Sequence, residues 1–226
     1  MHLSVLYEDN HLVAVKKNPR DIVQGDKSGD ATLVDAVKNY LKKKYNKPGD
    51  VFLGVIHRID RPVGGVVIFA RTSKALERMN KLFLEKKVQK TYWAVVQQRP
   101  PFENGKLVNW LKKNQEKNKS RAYDKLVKGS KQCELSYELK GRSKNYFYLE
   151  VYPSTGRHHQ IRVQLSHIGC NIKGDVKYGA NRTNRDGSIH LFARSISFIH
   201  PVKNQEITIT ANPPIDPLWD EFLNLA

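Results

Sequence analysis

The sequence predicts an α+β fold: a long mixed, mostly antiparallel sheet with helices flanking its faces. Two observations predict it. β-rich runs outnumber the stretches with a 3.6-residue apolar period. Most neighbouring runs are also joined by turn residues that would let them pair as hairpins. The chain of 226 residues is 39% hydrophobic, enough for a substantial core. No internal repeat and no clean linker interrupts it, so a single domain over 1–226 is expected.

The elements follow in order. Residues 3–7 and 12–15 read as two short strands around the turn Glu8-Asp9-Asn10. Residues 18–30 are polar, carry Pro19, Gly25 and Gly29, and read as a loop. Thr32 is placed to cap a helix over 32–45, with Leu33, Val34, Val37, Tyr40 and Leu41 on one face, and Lys47-Pro48-Gly49-Asp50 ends it. A strand over 51–57 leads into a turn at Asp60, and a strand over 65–70 leaves it. Thr72 or Ser73 can cap the next helix, whose apolar positions are Leu76, Met79, Leu82 and Phe83. Residues 90–96 are β-rich, and 132–139 with 145–152 read as a hairpin across Gly141. Helical spacing returns over 160–169, strands over 189–199 and 206–210, and a short helix over 219–225 follows Pro213, Pro214 and Pro217. The stretch 100–131, opened by Arg99-Pro100-Pro101, reads as a basic insertion that reaches over a substrate.

Charge narrows the partner. Thirty-nine basic residues against 22 acidic give +17 and a pI near 9.8. A balance this basic points to a polyanion, most often nucleic acid. Within the basic stretch, Trp110 and Tyr123 are interspersed among lysines and arginines. Cations for phosphates beside aromatic faces for unstacked bases is a composition suited to single-stranded or looped RNA. No run approaches the roughly 18 apolar residues of a membrane span, so no membrane is expected as partner. The first ten residues carry acids and lack the apolar segment of a secretory signal. Cys133 and Cys170 form no CxxC pair, which suits a reducing compartment and a cytoplasmic protein.

The densest chemistry lies in His57–Val66, HRIDRPVGGV. One carboxylate, Asp60, stands at a turn between two apolar runs and beside Arg58 and Arg61. Asp, Pro and Gly are also ordinary turn residues, so the loop alone decides nothing. Three further segments bear on it. QKTY (89–92) puts Lys90 and Tyr92 near a strand start, where a tyrosine ring can stack on a base. PSTGRHHQIRV (153–163) opens a helix with Arg157 and Arg162 flanking two histidines, a plausible phosphate cradle. IKGDVKYG (172–179) is a glycine-bounded polar loop.

HRID, KTY, PSTGRHHQIRVQ and IKGDVKYG, in that order, resemble the pseudouridine synthases of the RluA family, whose motifs read approximately HRLDxxTSG, TGRxHQIRVH and LGDxxYG. The opening LYEDNHLVAVKK and the late IHLFARSISFIHP are similar to that family too, so the match spans residues 4–202. The resemblance implies an RNA uridine isomerase. Asp60 would be the nucleophilic aspartate. Tyr92 would stack on the flipped base and help remove a proton. Arg162 would pair with the Asp60 carboxylate and keep it ionised and oriented. Arg58 would help open the RNA, and Ile161 and Leu191 would form an apolar wall near the base. Arg157 and Lys90 would join the substrate-binding residues. The reaction implied needs neither cofactor nor metal. The partner would be a stem-loop of rRNA or tRNA, bound by a monomer. Many members carry an N-terminal S4-type module; this sequence begins at the catalytic region, so its own basic surface would hold the RNA.

Three departures stand out. Val63-Gly64-Gly65 replaces the Thr-Ser-Gly of the first motif, Gln164 the last histidine of HQIRVH, and Phe192 a common histidine. None removes a proposed catalytic group, but Val63 lacks a hydroxyl that could support the Asp60 loop. Among rivals, a protein kinase lacks its Gly-rich loop and DFG here. His158, His159 and His167 lack metal-ligand spacing, and no helix-turn-helix or finger suggests a DNA binder. The main alternative is a catalytically inactive RNA-binding protein of the same fold. It would tolerate loss of Asp60, Tyr92 or Arg162, and all three are present.

Overall fold

The computed structural model describes residues 3–25 and 29–225. Residues 26–28, part of the expected loop, lie outside that range. Eleven strands and four α-helices are present among the described residues. They fall into two compact bodies. The first takes the chain up to Val88 together with Ala193–Asn212; the second takes Gln89–Phe192 and the chain from Pro213 on.

In the first body, β1 (Ser4–Glu8) pairs antiparallel with β2 (Leu12–Lys17). The helix α1 (Leu33–Lys44) follows. Then come β3 (Gly54–Val55), β4 (Gly64–Ala70) and the helix α2 (Ser73–Leu84). β2 and β3 both pair antiparallel with β4. Every residue of β4 is buried, which is why it reads as a continuous apolar run rather than an alternating one. Leu33, Val37 and Leu41 form the buried stripe of α1. Thr32 starts that helix as expected. Its hydroxyl accepts from Asp35 N at 3.1 Å, and its own N–H donates to the Asp35 carboxylate at 3.2 Å. Such a reciprocal cap contributes about 1 kcal/mol. For α2 the cap is Thr72, accepting from Ala75 N, and not Ser73.

In the second body the sheet order is β5 (Gln89–Val96), β9 (Phe147–Pro153), β8 (Lys131–Arg142), β6 (Asn104–Asn114), β7 (Lys119–Tyr123), with antiparallel pairing throughout. The expected hairpin across Gly141 is β8–β9. The basic stretch 100–131 is built into this sheet: β6 pairs with β8 over Asn104–Leu111 and with β7 over Trp110–Asn114. Its lysine density concealed a regular alternation, with Asn109, Leu111, Ser120 and Ala122 facing in. The helix α3 (Gln160–His167) covers that inner face, where Leu111, Ala122, Cys133, Val163 and Tyr178 make one cluster. A single 3₁₀ turn, Val176–Tyr178, follows.

β10 (Leu191–Ile199) and β11 (Glu206–Thr210) pair antiparallel. The terminal helix α4 (Pro217–Leu223) begins two residues before the expected 219. Asp216 caps it, and Pro217 is its first residue, where a missing N–H costs nothing. No described helix is long and apolar enough to cross a membrane.

Candidate active site

Asp60 sits in the loop between β3 and β4, half-buried. The sequence predicts strand through residue 57, yet β3 stops at Val55. His57 explains the early stop. Its Nε2 accepts the Ile68 N–H of β4 at 3.1 Å, so an imidazole replaces the backbone partner and frees the chain to turn. The ring stacks on Phe83 of α2, centroids 5.3 Å apart.

The far side of the loop is held by a residue the sequence reading did not single out. Lys17, at the end of β2, is completely buried. Its Nζ donates to the carbonyls of Val63 at 2.7 Å, Asn18 at 3.0 Å and Arg61 at 3.1 Å. Burial pushes its ammonium down to about 8, while the carboxylates of Asp21 and Asp60 act to keep it charged. Lys17 continues the buried run of Leu12–Val15, the one signal that could have marked it. Arg20 N donates to Arg61 O at 2.7 Å, and Val63 N closes the turn onto Asp60 O at 3.0 Å. The Asp60 loop is therefore fixed through its backbone, and Val63 needs no hydroxyl. Gly65 cannot vary: its φ is +126°, and a Cβ there would lie 2.3 Å from Ala193 O. Arg58 is exposed, and Arg61 makes an exposed ion pair with Asp30 at 2.8 Å.

The second body carries the other predicted residues. Tyr92 lies on β5 opposite Val151, half-buried. Lys90 precedes it, and burial pushes its ammonium down to about 8. Ile161 and Leu191 are buried; Arg157 is exposed, with Nε donating to Gln132 O at 3.4 Å.

Arg162 is 5% exposed, and Asp175 holds it in a two-pronged ion pair: Nε to Oδ2 at 2.7 Å and Nη2 to Oδ1 at 2.8 Å. The guanidinium lies over the Tyr178 ring, 5.1 Å from its centroid. Ser120 N donates to the Tyr178 hydroxyl at 2.8 Å, and that hydroxyl meets His159 Nδ1 at 2.8 Å. Burial, with Arg162 next in effect, pushes the His159 imidazole down to about 2, so the ring is neutral. Asp175, Tyr178 and His159 were legible as motif letters but had no role in the sequence reading. Gln160 pins the turn before α3, accepting from Thr155 Oγ1 at 2.7 Å and Arg157 N at 3.0 Å. Of the departures, Gln164 is buried and donates to Asn109 Oδ1 at 2.8 Å, and Phe192 packs against Trp219.

A cavity of ≈ 960 Å³ opens among β6, β7 and the end of α3. Lys112, Lys113, Lys117, Lys119 and Arg121 line it, and among the described residues no carboxylate does. Lys112 and Arg121 stand directly opposite each other across the strands. Like charges in that position destabilise a sheet unless an anion lies between them.

The family model for RNA pseudouridylate synthases matches residues 11–167. Two curated relatives cover nearly the whole chain. Ribosomal large subunit pseudouridine synthase C of Buchnera aphidicola subsp. Schizaphis graminum is 34% identical over 98% of this chain and 70% of its own length. The tRNA pseudouridine synthase C of Haemophilus influenzae is 31% identical over 98% and 97%. In fold, the chain is similar to human RNA pseudouridylate synthase domain containing 4, with TM-score 0.79 at 21% identity over 98% of this chain and 92% of that one. The sequence motifs, the fold and these matches agree, and the chain belongs to the RNA pseudouridylate synthase family, in its RluA branch.

Proposed function

We propose that Asp60 is the nucleophile with which this chain, as a member of its family, converts uridine to pseudouridine in RNA. The uracil N1–ribose C1′ bond breaks and a C5–C1′ bond forms on the same ring. The C5 proton leaves and N1 takes one up, so the balance needs neither oxidant nor reductant. The target nucleotide must first leave its stack. In this reading Tyr92 stacks on the extruded base and assists removal of the C5 proton. Arg162 pairs with the Asp60 carboxylate, and Ile161 and Leu191 give the base an apolar wall. Arg58 fills the space that the base vacates. Arg157, Lys90 and the cationic cavity on β6 and β7 take phosphates.

The observation that carries the reading is the clamp on the Asp60 loop. A carboxylate is presented on a backbone fixed by His57 on one side and Lys17 on the other, as covalent catalysis requires. The substrate is a stem-loop of ribosomal or transfer RNA, bound by a monomer in the cytoplasm. The test is tritium release from RNA labelled at uridine C5, with bulk ribosomal and transfer RNA in separate assays, wild type beside Asp60→Ala. Release should vanish in the variant while RNA binding persists. Equal release from both proteins would refute the assignment of Asp60.

A further inference from the structure

A second cavity, ≈ 790 Å³, lies wholly within the second body, between the loop 182–188 and the start of α4. It shares no lining residue with the groove on β6 and β7, nor with the residues assigned to the uridine. Its charges are unevenly committed. Asp186 is occupied by Ser188, through N at 3.0 Å and Oγ at 2.7 Å. Asp216 caps α4 and accepts from His190 Nε2 at 3.1 Å. The arginines on the same rim, Arg182 and Arg185, take part in none of these bonds and form no ion pair among the described residues.

The wall behind them is ordered. Asn184 is the hub: its Oδ1 accepts from Lys173 Nζ at 2.8 Å, and its Nδ2 lies 2.9 Å from His190 Nδ1 and 3.2 Å from Ser188 Oγ. Its amide presses against Gly174, where a Cβ would lie 2.8 Å away. His190 is 4% exposed and stacked on Trp219. The loop that bears the arginines is thus held in place, so two cations that form no ion pair among the described residues stand on a prepared support, with Asp186 and Asp216 of the same lining held by other groups. Gln97, also in the lining, has a buried Oε1 with no donor among the described residues.

We propose that this cavity is a phosphate subsite for the RNA strand, gripping a backbone phosphate with Arg182 and Arg185 outside the uridine site. Arginine suits this because its planar fork matches phosphate oxygens. The proposal rests on the assignment of RNA as substrate. A free nucleotide offers the same phosphate chemistry, and the test separates the two sources.

The experiment measures RNA affinity over a salt series for wild type, for Arg182→Glu/Arg185→Glu, and for a charge-matched control, Lys42→Glu/Lys43→Glu on α1. Loss of one phosphate contact should flatten the slope of log affinity against log salt by about 0.7 in the arginine variant relative to the control. Its affinity should fall about tenfold or more, the worth of a charge-assisted bond. Equal effects in the two variants would mean long-range charge only and would overturn the subsite. Calorimetry with uridine 5′-monophosphate is the second arm. Binding that needs Arg182 and Arg185, with RNA affinity no lower than in the control, would make this a free-nucleotide pocket and overturn the strand assignment. Should wild type itself fail to bind RNA or release tritium, the RNA assignment fails, a result distinguishable from a wild type that binds while the arginine variant tracks the control.

Discussion

Replacing Lys17 by methionine keeps the length of the side chain and removes the cation that ties three loop carbonyls together. Three bonds from a charged donor contribute about 5–8 kcal/mol. Burying the charge opposes them: the fall from 10.5 to about 8 corresponds to about 3 kcal/mol. The net loss in Lys17→Met is therefore roughly 2–5 kcal/mol near neutral pH. The pH dependence gives the sharper test. Lys17 is depressed in the folded state, so between pH 8 and 10.5 the unfolded chain binds the extra proton and stability from this group rises with pH. Below pH 8 both states are protonated and the contribution is flat. The stability difference between wild type and Lys17→Met should therefore widen by up to about 3 kcal/mol from pH 8 to 10.5. Denaturant unfolding across that range measures it. A constant or narrowing difference would refute the account of Lys17 as a buried ammonium. Turnover should fall more than RNA affinity, because the loop that presents Asp60 loosens while the basic surfaces are untouched.

Two further outcomes follow from the second body. Asp175→Asn strands the Arg162 guanidinium in a buried site and should cost about 3–5 kcal/mol by unfolding. The paired replacement Arg162→Met/Asp175→Leu should recover most of that stability and remain inactive in tritium release; activity returning with stability would make Arg162 purely structural. Charge reversal of Lys112, Lys113 and Lys119 together should weaken RNA binding and flatten its salt dependence by about 0.7 for each lost phosphate contact. An unchanged slope would remove the β6–β7 groove from the RNA surface.

Much of this was legible because local and tertiary preferences agree. Leu33, Val37 and Leu41 announce α1 by period, Thr32 announces its start, and the unbroken apolar run of β4 announces a strand buried on both faces. Legibility failed where a side chain takes over a backbone role. The strand before Asp60 looks two residues longer at its far end than it is, because nothing local shows that His57 will bond Ile68 eleven residues on. Lys17 follows the apolar run Leu12–Val15, but in a chain so rich in lysine little else in the sequence sets it apart. The strands β6 and β7 were hidden for a related reason: their outward positions are mostly charged, and their inward ones include Asn109 and Ser120, so hydrophobicity alone shows little alternation. In the site, the motif letters were found but their division of labour was not. Asp175 bonds Arg162 across thirteen residues, and Tyr178 reaches Ser120 across fifty-eight.

That division of labour bears on the choice between an enzyme and a binding protein. Of the residues in the three polar motifs, His57, His159, Gln160, Asp175 and Tyr178 spend their polar atoms on other protein groups. A surface that only held RNA would gain nothing from sealing an arginine at 5% exposure with a carboxylate and a tyrosine ring around it. Buried pairs of this kind add little to stability compared with apolar residues of the same volume. What they do supply is a guanidinium fixed in plane and direction, the property needed by a group that must meet a reacting carboxylate in one geometry. In the proposed reading exposed cations such as Lys112 on β6 and Arg121 on β7 supply the affinity, away from the buried Arg162. Binding and positioning then fall to different residues, so Arg162→Met/Asp175→Leu should silence the reaction without releasing the RNA.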